Sequence, residues 1–312
     1  MVLGLSGAVW AKRPAPRFRR TPTPTPVATI TPAPTIPSLQ WGAYVGDSAT
    51  DLANFEGLVG RPVNIQATFT GWQDSFPDSS ITNNVGPRGK TLLIFWESTG
   101  YTEAQMTNGS LDSYITLFAD QARAYGYPVI LAPWPEMNGD WNDWGGTVGA
   151  DSAQGFIAMW QHVHNIFTAT GETNVKWAWD VNNESYPSTP GNAAAVYWPG
   201  SSYVDYVAVD GFNFGSNSSS SQWRTFAQVF PPSLMTQLAS YNKPLYILST
   251  GAMAGPDKAS WITDGFGTRS ATFIKNYPLV SGWVWFNQNG ADGNWLVNSD
   301  PNSLTAFRQA IP

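Results

Sequence analysis

One glutamate in the chain stands in a setting that suits acid catalysis. Glu136 lies in the segment PWPEMNGDWNDWGG, directly after Pro135 and close to several tryptophans. A proline and aromatic rings exclude water from a carboxyl group, and the loss of water raises its pKa toward neutrality. A carboxylic acid with such a pKa can donate a proton to a leaving group at neutral pH. The segment therefore predicts a general acid/base at Glu136.

Further polar side chains stand where other apolar runs end. They are Glu97 after Trp96, Asp180, Asp210 with Asn213, Ser249, and Asn287 after Trp285. Carboxylates, amides and tryptophans grouped around one opening are more typical of a sugar-cleaving cleft than of a phosphate or metal site. The two histidines, His162 and His164, stand off the apolar face of a predicted helix. We therefore expect neither a metal nor a cofactor.

Eight apolar runs of strand length would bring these ends together. They are 40–46, 62–72, 91–98, 128–136, 175–182, 204–214, 244–251 and 281–288. Segments between several of them have helical periodicity, most clearly 152–169. This alternation predicts an α/β fold, a single (β/α)8 TIM barrel whose C-terminal strand ends carry the active site. A doubly wound open sheet is the alternative, but no glycine-rich phosphate loop follows the first run.

The composition fits one large globular domain. Of 312 residues, 42% are hydrophobic and 12% are charged, with a net charge of -6. Such a chain can bury a sizeable core, and its acidic balance makes nucleic acid an unsuitable partner. The chain has 16 Trp, 12 Tyr and 16 Phe, and flat aromatic rings suit the C–H faces of sugars. We expect a monomer whose partner is a β-linked polysaccharide or oligosaccharide.

The first 38 residues differ from the rest. Residues 1–11 form a short apolar run that resembles the later part of a signal peptide and is too short to span a membrane. Residues 12–38 combine a basic stretch with a Thr/Pro-rich tract, which is typical of an extended linker. The expected organisation is therefore 1–11 as a signal-peptide-like remnant, 12–38 as a linker and 39–312 as the barrel. It favours a secreted or extracellular protein, tethered to a surface through the linker or released; the alternative is a mistaken start site.

Four segments in order resemble one known family. EMNGDWNDWG resembles the acid/base motif of glycoside hydrolase family 26, and the likeness continues through VDYVAVDGFNFG, KPLYILSTGAMAGPDKASWI and GWVWFNQNGADGNWLVNS. That family holds endo-β-1,4-mannanases, mixed-linkage β-1,3-1,4-glucanases (lichenases) and β-1,3-xylanases. The resemblance implies a TIM barrel that hydrolyses with retention of configuration. It also implies that Glu136 is the acid/base and that the nucleophile stands at the end of the seventh strand.

This chain departs from the family pattern at that nucleophile. Where the family has Glu, the sequence reads Ser249-Thr250-Gly251. Serine is neutral and shorter, so we expect hydrolysis to be abolished or strongly reduced. Asp210 or Glu97 could instead activate water in an inverting mode. Two further hypotheses remain: a glycosynthase-type variant that condenses an α-glycosyl fluoride, and a non-catalytic polysaccharide-binding protein.

The substrate prediction depends on the residue before the acid/base. Family mannanases commonly carry histidine there, and this chain has Pro135, which favours a β-1,3-1,4-glucan over mannan. The candidate sugar platforms are Trp96, Trp134, Trp141, Trp144, Trp285 and Trp295. The candidate polar contacts are Asn138, Asp210, Asn213 and Asn287, of which Asn213 and Asn287 could equally serve only to order their loops.

Overall fold

The eight apolar runs form eight parallel strands that close into a barrel. A computed structural model describes residues 39–216, 222–267, 273–290 and 293–312. The strands, β1 to β8, are Gln40–Tyr44, Ile65–Gly71, Thr91–Glu97, Val129–Pro133, Val175–Asn182, Tyr206–Asn213, Leu245–Ala252 and Val280–Phe286. Each strand pairs with the next in the chain, and β8 pairs with β1. The predicted (β/α)8 barrel is confirmed.

Helices follow the strands and cover the outside of the barrel. In the described residues, α1 to α9 are Ala49–Val59, Ser79–Val85, Glu103–Thr107, Asp112–Tyr125, Ala153–Thr170, Phe226–Val229, Pro232–Ala239, Lys258–Phe266 and Pro301–Ala310. Short 3₁₀ turns lie at Gly86–Arg88, Pro190–Asn192, Ala194–Tyr197, Ser201–Tyr203 and Phe273–Asn276. A small antiparallel ribbon, β9 (Asn289–Gly290) with β10 (Gly293–Asn294), follows β8.

The sequence explains where the clearest helix begins. The side chain of Ser152 accepts a hydrogen bond from the backbone N–H of Gly155 and so caps α5. The predicted apolar face of this helix, including Phe156, Trp160 and Val163, is fully buried. It packs beside α3 and α4, and its Phe156 ring lies 6.1 Å from that of Trp134. The helix thus supports the wall behind the Glu136 segment.

Two apolar layers make up the core. The barrel interior contains small and branched side chains together with Phe95, Tyr246 and Leu248, and a larger layer lies between strands and helices. Because successive side chains of a strand point to opposite faces, neighbouring residues of one strand belong to different layers. On β3, Phe95 therefore faces the interior and Trp96 faces the helices.

Residues 1–38, which include the expected signal-peptide-like remnant and the expected linker, lie outside the described part of the chain. None of the helices in the described ranges combines the length and the hydropathy that crossing a bilayer would require.

Candidate active site

The C-terminal ends of the strands surround two adjoining cavities. The first, which we call the inner pocket, has a volume of about 200 Å³ and is lined by Glu97, Glu136, Asp210 and Ser249 together with aromatic side chains. The second, which we call the aromatic groove, has a volume of about 790 Å³ and is lined by residues that include Glu136, Trp141, Tyr186 and Phe214. Glu136 therefore lies where the two cavities meet.

The backbone holds Glu136 in an uncommon conformation. Trp134 and Glu136 have φ angles of 52° and 58°, in the left-handed region that residues other than glycine seldom adopt. The N–H of Glu136 donates to the carbonyl of Asp180 at 3.0 Å, and the carbonyl of Glu136 accepts from Gly139 at 2.8 Å. Such strain persists only where the surrounding structure enforces it, and it concentrates at functional sites.

The side chain of Glu136 has a raised pKa. Burial raises its pKa from 4.5 to about 7, although a hydrogen bond from Trp141 opposes this change. The Nε1–H of Trp141 donates to Oε2 of Glu136 at 2.9 Å, and the charge of nearby Glu97 adds to the rise. With this pKa the group exchanges protons near neutral pH, as a general acid/base must.

Asn138 and Trp144 hold the loop that carries Glu136. The side chain of Asn138 donates to the carbonyl of Asn182 at 3.0 Å and accepts from its N–H at 2.8 Å. The Nε1–H of Trp144 donates to the carbonyl of Pro135 at 2.7 Å. Both side chains are buried. Their predicted contact with sugar is therefore wrong, because their polar atoms are used to fix the loop.

Ser249 reaches the inner pocket because of a bulge in β7. The register between β6 and β7 shifts after Val209, which faces Ile247, so that Asp210 faces Ser249 and Leu248 is the extra residue. A bulge changes the face to which the following side chains point. Leu248 fills the barrel interior, and Ser249 still points inward beside Asp210. A hydroxyl group at residue 249 thus lines the same pocket as Glu136.

Two buried aspartates lie next to Glu136. Asp180 and Asp210 are buried, and their carboxyl groups lie close to each other. Burial, followed by the negative charges of their carboxyl neighbours, raises the pKa of both well above the usual value for aspartate. The backbone N–H of Ser249 partly opposes this rise at Asp210. Both carboxyl groups therefore favour the protonated, neutral form.

Glu97 lines the same pocket from β3. Its side chain is half-buried, and burial raises its pKa. It lies close enough to Glu136 to influence the protonation of that group. The inner pocket therefore combines an acid at Glu136 with carboxyl groups on two sides and a neutral side chain at residue 249.

Most of the predicted tryptophan platforms are part of the core. The rings that offer no face to either cavity are those of Trp96, Trp134, Trp144, Trp285 and Trp295, each exposed by 4% or less. The expectation that they stack against sugar is therefore wrong. Trp285, for example, packs against Phe307 of α9 and Trp261 of α8. Trp141 alone of the six is exposed, by 49%, and it lines the aromatic groove.

The predicted amides Asn213 and Asn287 order loops. Asn213 is fully buried and bonds the backbone of Gly215 and Arg224. The side-chain oxygen of Asn287 accepts from the N–H of Val297 at 2.8 Å. A direct contact with sugar is therefore excluded for Asn213, and the loop role holds for both. Asp210, in contrast, does line the inner pocket.

The histidines take part in packing, as the sequence indicates. His162 pairs with Asp112 at 2.7 Å, and His164 packs against the rings of Trp177 and Tyr203. Burial lowers the pKa of His164.

Two aromatic residues of the site were missed by the sequence reasoning. Tyr186 and Phe214 are 58% and 51% exposed and line the aromatic groove. They lie in the loop after β5 and just past the end of β6, where no periodicity marks them. The available signal was their type and place, since each is an aromatic residue just beyond a strand end that already carries a carboxylate.

Comparison with known proteins shows one consistent relationship. Residues 93–256 match the sequence model of glycosyl hydrolase family 26. The chain is 36% identical over 284 residues to "Endoglucanase H" of Acetivibrio thermocellus, covering 88% of this chain and 30% of that protein. It is 26% identical over 137 residues to "Mannan endo-1,4-beta-mannosidase A and B" of Caldalkalibacillus mannanilyticus, covering 39% of this chain and 26% of that protein. The chain thus spans less than a third of the length of either relative.

Solved structures share the fold. The catalytic domain of an endo-β-1,4-mannanase from Bacillus sp. JAMB-750 superimposes with a TM-score of 0.63 at 15% identity, covering 87% of this chain and 85% of that one. At this identity the likeness concerns the barrel alone.

Proposed function

The chain belongs to glycosyl hydrolase family 26, and from this premise we propose that it binds a β-1,3-1,4-glucan and carries a retaining catalytic site whose nucleophile is missing. The observation that carries the proposal is the inner pocket itself. Glu136, with a pKa of about 7, and Ser249 both line it, which supports the assignment of these two residues to the acid/base and nucleophile positions.

Retaining hydrolysis needs two carboxyl groups about 5 to 5.5 Å apart, one to protonate the leaving oxygen and one to attack the anomeric carbon. Glu136 can perform the first task. Ser249 cannot perform the second, because neither histidine lines the pocket to activate its hydroxyl. Loss of an essential catalytic group reduces kcat in hydrolases by about 10⁴ to 10⁶. We therefore expect hydrolysis by this chain to be abolished or strongly reduced.

The same pocket suits glycosyl transfer from an activated donor. The serine leaves space on the face of the sugar where the carboxylate would lie, so an α-glycosyl fluoride fits with its C–F bond pointing there. An acceptor hydroxyl attacks the anomeric carbon, fluoride leaves, and deprotonated Glu136 takes the hydroxyl proton. The product carries a new β-bond, which the chain cannot cleave without a nucleophile.

Pro135 supports a glucan over mannan as the substrate, since family mannanases commonly carry a histidine there. The 36% identity to a protein named as an endoglucanase points in the same direction. The match to a mannanase supports the alternative, an endo-β-1,4-mannanase. Ser249 itself favours the other alternative, a polysaccharide-binding protein without catalysis.

One substitution tests these proposals together. Ser249→Glu should restore hydrolysis, measured as reducing ends released from lichenan, glucomannan, mannan and β-1,3-xylan, with lichenan the best substrate. The matched control is Ser249→Gln, which has the same size without a carboxylate and should stay inactive. If Ser249→Glu is folded and inert on all four polymers, the catalytic proposal is wrong, and binding of the parent chain to lichenan in affinity gels would then favour the binding protein.

A further inference from the structure

Three asparagines of the chain are followed directly by glycine. They are Asn108, Asn138 and Asn289. In such a pair the backbone nitrogen of the glycine can attack the side-chain amide of the asparagine, because glycine has no Cβ to obstruct a close approach. The three pairs are alike in sequence. The rate of this reaction in the folded protein therefore depends on how the fold holds each asparagine.

The fold protects Asn138. Its buried amide donates to the carbonyl of Asn182 at 3.0 Å and to Oγ of Ser185 at 3.1 Å. Its side-chain oxygen accepts from the N–H of Asn182 at 2.8 Å. The attacking group is engaged as well, since the N–H of Gly139 donates to the carbonyl of Glu136 at 2.8 Å. Ring closure at Asn138 would have to break these hydrogen bonds inside the protein.

Strand pairing restrains Asn289. The residue is exposed, but it lies in β9, and Asn294 of β10 is its partner in the ribbon. Attack by the nitrogen of Gly290 forms a five-membered ring, which requires a backbone torsion at the asparagine that an extended strand does not have. The ribbon must therefore open before this pair can react.

Asn108 has neither protection. It is exposed at the point where the five-residue helix α3 ends, and Gly109 and Ser110 beyond it are also exposed. Within the described part of the chain, no backbone hydrogen bond uses the N–H of Gly109. This nitrogen is therefore free to lose its proton to hydroxide from the solvent.

The loop also activates the amide of Asn108. The N–H of Ser110 donates to Oδ1 of Asn108 at 2.9 Å, which closes a turn around the peptide bond between Asn108 and Gly109. Negative charge develops on this oxygen when the nitrogen of Gly109 attacks the amide carbon. A donor that already points at the oxygen stabilises that charge and lowers the barrier.

We propose that Asn108 is a site of spontaneous modification, at which water converts the asparagine to aspartate and isoaspartate. The nitrogen of Gly109 gives up its proton and forms a bond to Cγ of Asn108, and the side-chain nitrogen leaves as ammonia. The resulting cyclic imide adds one water molecule. Opening at one of its carbonyls gives aspartate, and opening at the other gives isoaspartate, in which the main chain runs through the former side chain.

The modification does not depend on the proposed function. Asn108 is not among the residues that line the inner pocket or the aromatic groove. Each conversion adds one negative charge to a chain whose net charge is -6. Aged protein should therefore elute later from an anion-exchange column than fresh protein.

Peptide mapping by mass spectrometry follows the three pairs separately. Trypsin cleaves after Lys and Arg and so places them in three different peptides, 91–123, 124–176 and 276–308. The folded parent chain is incubated in mildly alkaline buffer. The same chain in guanidinium chloride gives the rate of each pair without the fold, so the ratio of the two rates isolates the effect of the structure.

The three ratios should differ in a fixed order. Asn108 should convert in the folded protein no more slowly than in the denatured chain, because its loop leaves the nitrogen free and polarises the amide. Asn138 should convert at least about a hundredfold more slowly, since several hydrogen bonds must break first. Asn289 should lie between the two.

Two variants control for the site. Asn108→Gln, whose longer side chain disfavours ring closure, should leave peptide 91–123 unmodified. Gly109→Asn keeps a residue that tolerates the φ of 88° but crowds the attacking nitrogen, and should slow conversion about tenfold. The proposal is overturned if Asn108 converts in the fold as slowly as Asn138. It is also overturned if the product is aspartate alone, because direct hydrolysis of the amide would then replace the cyclic imide.

Discussion

Replacing Glu136 by glutamine should stabilise the protein, and more so at higher pH. Burial, against a hydrogen bond from Trp141, raises the pKa of Glu136 from 4.5 to about 7. Because the folded pKa is the higher one, the folded chain binds the proton more tightly than the unfolded chain. The contribution of this group to stability is therefore lost as pH rises from about 4.5 through about 7, and it stays lost above that range.

The size of the effect follows from the two pKa values. A rise from 4.5 to about 7 lowers the free energy of unfolding by about 3 kcal/mol at pH 8 and by about 1 kcal/mol at pH 5. Glutamine keeps the shape of the side chain and cannot ionise. We therefore expect Glu136→Gln to gain about 2 kcal/mol more over the parent chain at pH 8 than at pH 5.

Urea unfolding followed by tryptophan fluorescence measures this difference, provided that parent and variant show equal m-values. Asp140→Asn, which makes the same change from carboxylate to amide at an exposed residue of the same loop, is the matched control. A gain from Glu136→Gln that is the same at pH 5 and pH 8 would refute the reasoning, since it would mean that the acid/base carboxyl ionises as freely in the fold as outside it.

Three other substitutions test parts of the site. Trp141→Phe removes the N–H that donates to the acid/base carboxylate, so in a nucleophile-restored form the alkaline limb of kcat/KM should move to higher pH; an unmoved limb would contradict this. Trp285→Phe shrinks a buried ring, so the free energy of unfolding should fall by about 1 to 3 kcal/mol in urea titrations, while the Kd for oligosaccharide stays within twofold if the ring is not a sugar platform. Gly155→Ala would bring a Cβ to 1.7 Å from Oε2 of Glu103 and so displace the carboxylate that accepts from the first turn of α5. We expect the free energy of unfolding to fall by about 2 kcal/mol. Gly57→Ala, with open space around it, is the control and should not destabilise the protein.

The barrel was predictable because each strand is marked by a local run of apolar residues. Each of the eight apolar runs coincides with one strand to within a few residues, and the run at 152–169 corresponds to the helix Ala153–Thr170. The role of Glu136 was predicted from its neighbours in the chain, of which Trp141 donates to its carboxylate and Trp144 donates to the carbonyl of Pro135. Asp180 and Asp210 were visible as strand ends, but the closeness of their carboxyl groups depends on pairing between strands, which no local pattern encodes.

The prediction that Trp96 and Trp285 stack against sugar was wrong because side chains alternate between the two faces of a strand. On β3, Phe95 lies in the barrel interior and Glu97 lines the inner pocket, so alternation sends Trp96 to the helix side. Phe286 and Trp285 repeat this relation on β8. Tyr186 and Phe214 could not be found this way, because their exposure depends on how separate loops approach each other.

The bulge in β7 directs the side chain of residue 249 into the inner pocket. Because the register shift belongs to the backbone pairing of β7 with β6, another side chain at residue 249 should point into the same pocket. Because the chain contains no cysteine, a cysteine introduced at this position would be its only thiol. Ser249→Cys would allow a probe, a spin label or a sugar-derived electrophile to be attached at the inner pocket, which Glu136 also lines, so that one ligand would be held there at a defined site.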